Sequence, residues 1–324
     1  MSSKNNDVPI RYLDTIQPVE VKFLAKPYLP IGKFVLLIGD PGVGKSTLAM
    51  NIAAALSTGR PILESGSVPI TGSVIYQSAE DNVADTLKPR LMANGADCSK
   101  IAVIERNGLD ISKDCQLLDN AIRETKATML VLDPLIAHLG PKADMCRAAD
   151  MRRLLSGLMV VAEKRKCVVL AIGHMNKSEG TKSLYRGLGS IDIAASARSV
   201  MLLERSEDEP DVRILKHIKS SLAPEGNPLA FRIESNSSVR FLGTYEGEQP
   251  YSADPMEDGK REWASSVILS LLSGGPRSSA DIQRVCADAG ISESTMNRAK
   301  KDLGIRSIRK PDGWDWTLEG HEIN

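Results

Sequence analysis

The chain has 324 residues, and its 41 basic side chains balance 41 acidic ones, so any surface for a polyanion must be local rather than global. The five cysteines (98, 115, 146, 167 and 286) form no C-x-x-C pair, which argues against a zinc site or a disulfide framework. No apolar run approaches a membrane span and residues 1–20 are too polar for a signal peptide, so the expected setting is the cytoplasm, away from membranes.

Residues 1–20 read as a polar tail. VKFLAKPYLPIGK (21–33) carries two prolines and reads as an extended lead-in packed beside a ligand. The next stretch organises the chain. Phe34 to Ile38 is an apolar, β-rich run that stops at Gly39, and an amphipathic helical pattern starts at Lys45. Between them GDPGVGKS matches the phosphate-binding loop G-x-x-x-x-G-K-[ST] at every fixed position. Glycines 39, 42 and 44 let the backbone turn several N–H groups inward, and the following helix adds its unpaired N–H groups and positive dipole end. The nucleotide cradle is therefore Gly39, Asp40, Pro41, Gly42, Val43, Gly44, Lys45, Ser46 and Thr47. Lys45 is expected on the β- and γ-phosphates of ATP, and Ser46 on Mg²⁺.

After a helix end near Gly59, the pattern gives a strand at 73–77, a helix at about 82–95 and a strand at 101–105. A helix at 115–126, a strand at 129–133, a helix at 150–166 and a strand at 167–174 follow. Such alternation predicts an α/β fold with a mainly parallel sheet. From 198 four strands follow without helices between them, an expected antiparallel extension. Residues 244–259 are polar and rich in Pro and Gly and read as a linker, leaving an ATPase domain over 21–243 and a small domain over 260–324.

Hydrolysis needs more than a cradle. Asp133 closes the apolar strand MLVLD and is expected as a second Mg²⁺ anchor, against a helix-cap or turn aspartate. Glu80, just past the strand beginning at Ser73, is the expected general base; Asp81 competes for that role, and either could simply cap the next helix. His174 ends CVVLAIGH, where it could sense the γ-phosphate or merely occupy a turn.

GDPGVGKS, the acids of SVIYQSAED, VLDP and GHMNK, in this order, resemble the RecA-like ATPases, and most closely the plasmid and phage replicative helicases of the RepA type, relatives of DnaB and RadA. The resemblance covers residues 20–245. It implies a homo-hexameric ring with ATP at subunit interfaces, single-stranded DNA in the channel and an activity that separates strands. It places channel loops at about 138–148 and 175–190. The second loop holds Lys177, Lys182 and Arg186 against one acid, Glu179, which suits a phosphodiester backbone or a plain surface loop. The family donates an arginine across the interface. Arg198 falls at the matching position, and Lys216 and Lys219 fall near the basic pair that DnaB-like members use instead.

Residues 260–319 read as three helices (261–275, 279–290, 294–304) and a hairpin turning at Pro311-Asp312-Gly313, the winged-helix arrangement. Asn297, Arg298, Lys301, Arg309 and Lys310 are the expected duplex-DNA contacts, with Thr295 beside them; a protein-docking role is the alternative. Trp314 and Trp316 are expected in that domain's own core. The functional expectation is an ATP-driven DNA motor, a replicative helicase of a plasmid, phage or integrated element. The alternatives are a DNA-tethered ATPase switch and, last, a phosphotransferase like the KaiC clock ATPases.

Overall fold

Side-chain alternation in the strand before the phosphate loop sets the layering of the whole domain. In the computed structural model, strand β3 (Phe34–Gly39) is buried along its full length. Val35 and Leu37 face one apolar layer, while Phe34, Leu36 and Ile38 face another. A strand covered on both faces reads as one continuous apolar run, which is why β3 shows no polar alternation in sequence. The structure describes residues 11–64, 66–106, 108–140, 148–174, 191–246, 264–265, 267–269, 271–272, 275–310 and 313–318.

The main sheet has nine strands in the order β11-β10-β9-β8-β3-β7-β6-β4-β5. Its parallel part comprises β3, β4 (Ser73–Ser78), β5 (Ile101–Ala102), β6 (Ala127–Asp133), β7 (Val168–His174) and β8 (Ser199–Arg205). β9 (Val212–Ser220), β10 (Leu229–Ile233) and β11 (Val239–Thr244) extend it in antiparallel fashion from β8, as the closely spaced strands imply. Helices α1 (Lys45–Thr58) and α2 (Lys88–Ala93) contribute to one layer. Helices α3 (Ile111–Thr125) and α4 (Ala148–Arg165) contribute to the other. A short α5 (Ile191–Ser196) precedes β8. No described helix is long and apolar enough to cross a membrane.

Several local expectations change. Helix α1 is buried nearly all round rather than amphipathic, because Ala49, Ala53, Ala54 and Ala55 let neighbours approach closely. The expected helix at 82–95 begins as a wider π-type turn at Val83–Leu87 before α2. The strand expected at 101–105 stops at Ala102. Beyond it the Gln77 side chain takes over, accepting from the Ile104 N–H at 3.1 Å. The lead-in does not lie beside the phosphate loop. It forms a hairpin, β1 (Phe23–Ala25) with β2 (Leu29–Pro30), and its Tyr28 carbonyl accepts from Ser199 Oγ at the start of β8. Ser199 pairs with Val35, so this hairpin sits at the amino-terminal end of the central strands.

The C-terminal residues build their own core. Helices α6 (Ser279–Asp288) and α7 (Glu293–Asp302) pack Ile282, Cys286, Met296 and Ala299 against Trp316. Ser292 caps α7 through the Thr295 N–H. The hairpin β13 (Arg306–Lys310) and β14 (Gly313–Thr317) is present, and β12 (Arg277–Ser278) adds a third strand that the sequence reading lacked. Trp316 is buried as expected, but Trp314 is half exposed: neighbours in a strand point to opposite faces. The linker at 247–259 lies outside the described residues.

Candidate functional site

Strand register brings the sequence-nominated positions to one edge. Gly39 pairs with His174, and Ser78 pairs with Asp133, so β3, β7, β4 and β6 all end at the carboxyl edge of the sheet. Open α/β sheets bind ligands outside that edge. The phosphate loop leaves β3 through Gly39, where a Cβ would lie 2.3 Å from the Leu203 carbonyl oxygen. Gly44 has φ +104, and a Cβ there would meet Ile233 Cδ1 at 2.3 Å. Gly44 is the N-cap of α1 and brings no capping side chain, which leaves the first N–H groups of the helix for a phosphate.

Lys45 is only 4% exposed. Its Nζ donates to the carbonyls of Gly39 and Asp40 at 2.9 and 2.8 Å, so the cation is folded back over its own loop. Burial lowers its pKa to about 8, against the opposing pull of Asp133, Asp40 and Glu80. An anion entering the loop offers Nζ a stronger partner than two carbonyls.

Asp133 is equally buried. Its carboxylate accepts from the Ser46 hydroxyl and, at 2.9 Å, from Tyr76 Oη. Burial raises its pKa despite those two donors, and Asp81 and Glu80 add to the rise. A buried carboxylate held beside a hydroxyl fits Mg²⁺, a hard cation that takes one or two protein oxygens and completes its shell with phosphates and water. Among the described residues no group of three or more His, Cys, Asp or Glu could hold a metal ion. Tyr76 escaped the sequence reading. Only its polar tip within the apolar strand SVIYQS hinted at a partner.

The rivals around Glu80 separate cleanly. Asp81 pairs with Arg90 at 3.5 Å, and Asn82, rather than either acid, caps the following turn by accepting from the N–H groups of Ala84 and Asp85. Glu80 is exposed and, among the described residues, has no hydrogen bond or ion pair. The preceding Ala79 N–H donates to the Asp133 carbonyl at 2.9 Å, which fixes the backbone of this segment to the Mg²⁺ candidate strand. His174 is at the end of β7 beside Gly39 in register; its side chain lies outside the described residues, as do Lys177, Lys182 and Arg186 and most of both expected channel loops.

The expected trans-acting cations do not share one end of the sheet: Lys216 pairs with Leu202, itself opposite Ile38 near the phosphate loop, whereas Arg198 lies at the far end. Arg198 immediately precedes β8, its N–H bonded to the Phe34 carbonyl. Five residues of extended chain separate Phe34 from Gly39, roughly 17 Å at strand rise, so Arg198 cannot serve its own loop. Its side chain is exposed and, among the described residues, unpaired. Lys219 Nζ instead donates to the Ala194 and Ala195 carbonyls at the end of α5, both at 2.9 Å. Lys216 forms an ion pair with Glu204.

Two further cations at the loop itself carry no signal in the sequence. Arg213 Nε donates to the Val43 carbonyl at 2.9 Å, and Arg205 donates to the Gly42 carbonyl at 3.2 Å. They are opposite one another on β9 and β8.

In the C-terminal unit Asn297, Arg298, Lys301, Arg309 and Lys310 are all exposed, and Thr295 is half-buried. Lys310 is ion-paired with Asp315 at 2.6 Å, and Lys300 lies 4.2 Å from the Trp316 ring centroid.

Residues 2–180 match the AAA_25 family, described as an AAA domain. The DNA repair protein RadA of Bacillus subtilis is 29% identical over 219 residues, 66% of this chain and 42% of that protein. RadA of Streptococcus pneumoniae is 24% identical over 65% of this chain and 44% of its own length. RadA of Chlamydia muridarum is 21% identical over 85% and 53%. The chain therefore spans about half or less of the length of these curated relatives. A KaiC-like protein from Pyrococcus horikoshii OT3 has a crystal structure that overlays with a TM-score of 0.49 at 17% identity, covering 70% of this chain and 99% of that one. With a phosphate loop between β3 and α1, a mainly parallel sheet and a family match over more than half its length, the chain belongs to the AAA_25 family and is a RecA-like P-loop ATPase.

Proposed function

We propose that the chain is an ATP-hydrolysing DNA motor that works as a ring of identical subunits, most specifically a replicative-type helicase acting on single-stranded DNA. The observation that carries the reading is the convergence of Lys45, Ser46, Asp133 and Glu80 on one sheet edge while the exposed Arg198 sits at the other end. Catalytic groups gathered at one edge, with an exposed cation too far away to reach them, fit the layout of catalysis shared between neighbours.

Bound Mg²⁺ supplies charge neutralisation on the phosphates. Ser46 Oγ and Asp133 would hold it, with Tyr76 orienting the aspartate. Lys45 Nζ exchanges two loop carbonyls for phosphate oxygens. Glu80 positions the attacking water and accepts its proton, with no ion pair among the described residues holding it elsewhere. His174, whose backbone ends β7 beside Gly39 in register, would report on the γ-phosphate. Arg198 serves the neighbouring subunit's nucleotide. Lys216 and Lys219 are the weaker candidates, since Glu204 and the end of α5 already occupy them.

The C-terminal unit we read as a winged helix on duplex DNA. Asn297 and Arg298 of α7 would point toward bases, with Lys301 and Arg309 toward the backbone; Lys310 would need to leave Asp315 to join them. A DNA partner also accords with relatives named for DNA repair, which makes a repair or recombination motor the neighbouring alternative to a replicative one. A second reading, a DNA-tethered ATPase switch, rests on the same unit, which has its own core.

Strand displacement on a forked duplex separates these readings. The motor releases the strand in an ATP-dependent manner. The switch hydrolyses ATP but releases nothing. Mixing Arg198→Ala with Lys45→Ala subunits should restore part of the turnover each has lost, because some mixed interfaces pair an intact loop with an intact arginine.

A further inference from the structure

For a phosphate loop to present its N–H groups inward, its carbonyls must point outward, and each outward carbonyl needs a donor. Two of these donors come from outside the loop, from the β8–β9 hairpin. Arg213 on β9 gives Nε to the Val43 carbonyl at 2.9 Å, and its Nη1 to the Pro210 and Val212 carbonyls at 2.6 and 3.3 Å. Arg205 on β8 gives an Nη to the Gly42 carbonyl at 3.2 Å. The two guanidiniums are directly opposite in register. Like charges facing each other across strands oppose folding, and Arg213 is only 8% exposed. Burial accordingly lowers its pKa, with Arg205 adding to the effect. A buried cation whose hydrogen bonds, among the described residues, go to carbonyls, set against a second cation, contributes little as an ion pair. What it does achieve is to fix a loop and to concentrate positive potential beside it.

The rest of the contact agrees. Ile233 of β10 meets Gly44, and Leu203 of β8 meets Gly39, so β8, β9 and β10 together touch the loop at both ends and in the middle. The turn that follows β8 is itself tied down: Ser206 N–H donates to the Val212 carbonyl, and Val212 N–H to that of Glu209. Arg213 bridges this turn and the loop.

We propose that Arg213, assisted by Arg205, is a positioning residue that holds the phosphate loop in its nucleotide-accepting shape from the β8–β9 hairpin. The proposal rests on the ATPase reading for its consequences in turnover, but the loop geometry can be tested without it. A lysine at 213 keeps the charge yet cannot span Val43 and Pro210 as a planar fork does. In nucleotide-free, full-length protein, Arg213→Lys should speed amide exchange of residues 40–47 while β6 and β7 exchange as in wild type. The apparent KM for ATP should rise about tenfold, the usual cost of one charge-assisted hydrogen bond, with kcat within about threefold. Arg213→Met should show the same pattern, more strongly. Unchanged exchange at 40–47 and an unchanged KM would overturn the proposal. So would faster exchange spread equally over β6 and β7, which marks a general loss of stability. If wild type fails to bind ATP at all, the ATPase reading falls, and the exchange comparison still decides the clamp.

Discussion

Lys45 makes nucleotide binding a proton-linked event. In the free protein burial lowers its pKa to about 8, and among the described residues its Nζ donates to the Gly39 and Asp40 carbonyls. Because the native state releases this proton earlier than the unfolded chain, nucleotide-free stability gains from this group as pH rises from about 8 toward 10.4. A polyphosphate reverses the balance by favouring the charged amine. At pH 8 about half the free molecules carry a neutral Lys45, so binding Mg²⁺-ADP should take up about 0.5 proton; the uptake should be about 0.1 at pH 7 and about 0.9 at pH 9. Calorimetry of ADP binding in buffers of different ionisation enthalpy reads this number directly. ADP avoids turnover, and its phosphates are fully ionised over most of this range. Lys45→Met gives the contribution of all other groups and should bring the uptake to zero at pH 8. Wild-type uptake that is flat from pH 7 to 9, or equal in Lys45→Met, would refute the reasoning that the buried amine is discharged before nucleotide arrives.

Other perturbations test the remaining parts. Glu80→Gln should bind nucleotide like wild type and lose turnover on the order of 10²-fold or more, measured by phosphate release, whereas Asp81→Asn should lose only its Arg90 pair and stay within a few-fold. Tyr76→Phe removes one donor to Asp133 and should raise the Mg²⁺ concentration needed for half-maximal turnover by about 10–100-fold, the usual worth of an outer-shell hydrogen bond. Asp133→Asn removes a carboxylate whose folded pKa is raised, so the native state is penalised above that pKa and not below the unfolded value. Metal-free Tm at pH 7 should rise, the gain narrowing as pH falls toward 4, while stabilisation by Mg²⁺-ADP is lost.

The phosphate loop was legible because its chemistry needs fixed residues at fixed spacing, and the strand before it is one continuous apolar run. Asp133 was legible for a related reason: an acid closing a buried strand has few other uses. Glu80 could be named but not separated from Asp81, since only the fold reveals that Arg90 holds one and Asn82 does the capping. What stayed hidden depends on register between distant segments. Tyr76 reaches Asp133 because β4 lies beside β6, and Arg213 reaches Val43 across 170 positions of sequence. Lys219 looked like a free cation in LKHIKSS, yet strand pairing lays it under the last carbonyls of α5. The lead-in hairpin was misplaced for the same reason: its apolar residues signal burial but not against which edge.

ATP turnover with and without single-stranded DNA tests the central claim most directly, measured for wild type and Glu80→Gln in the presence of Mg²⁺. The account expects Mg²⁺-dependent hydrolysis that single-stranded DNA stimulates and that Glu80→Gln abolishes. Hydrolysis indifferent to DNA, or undiminished in Glu80→Gln, would contradict it.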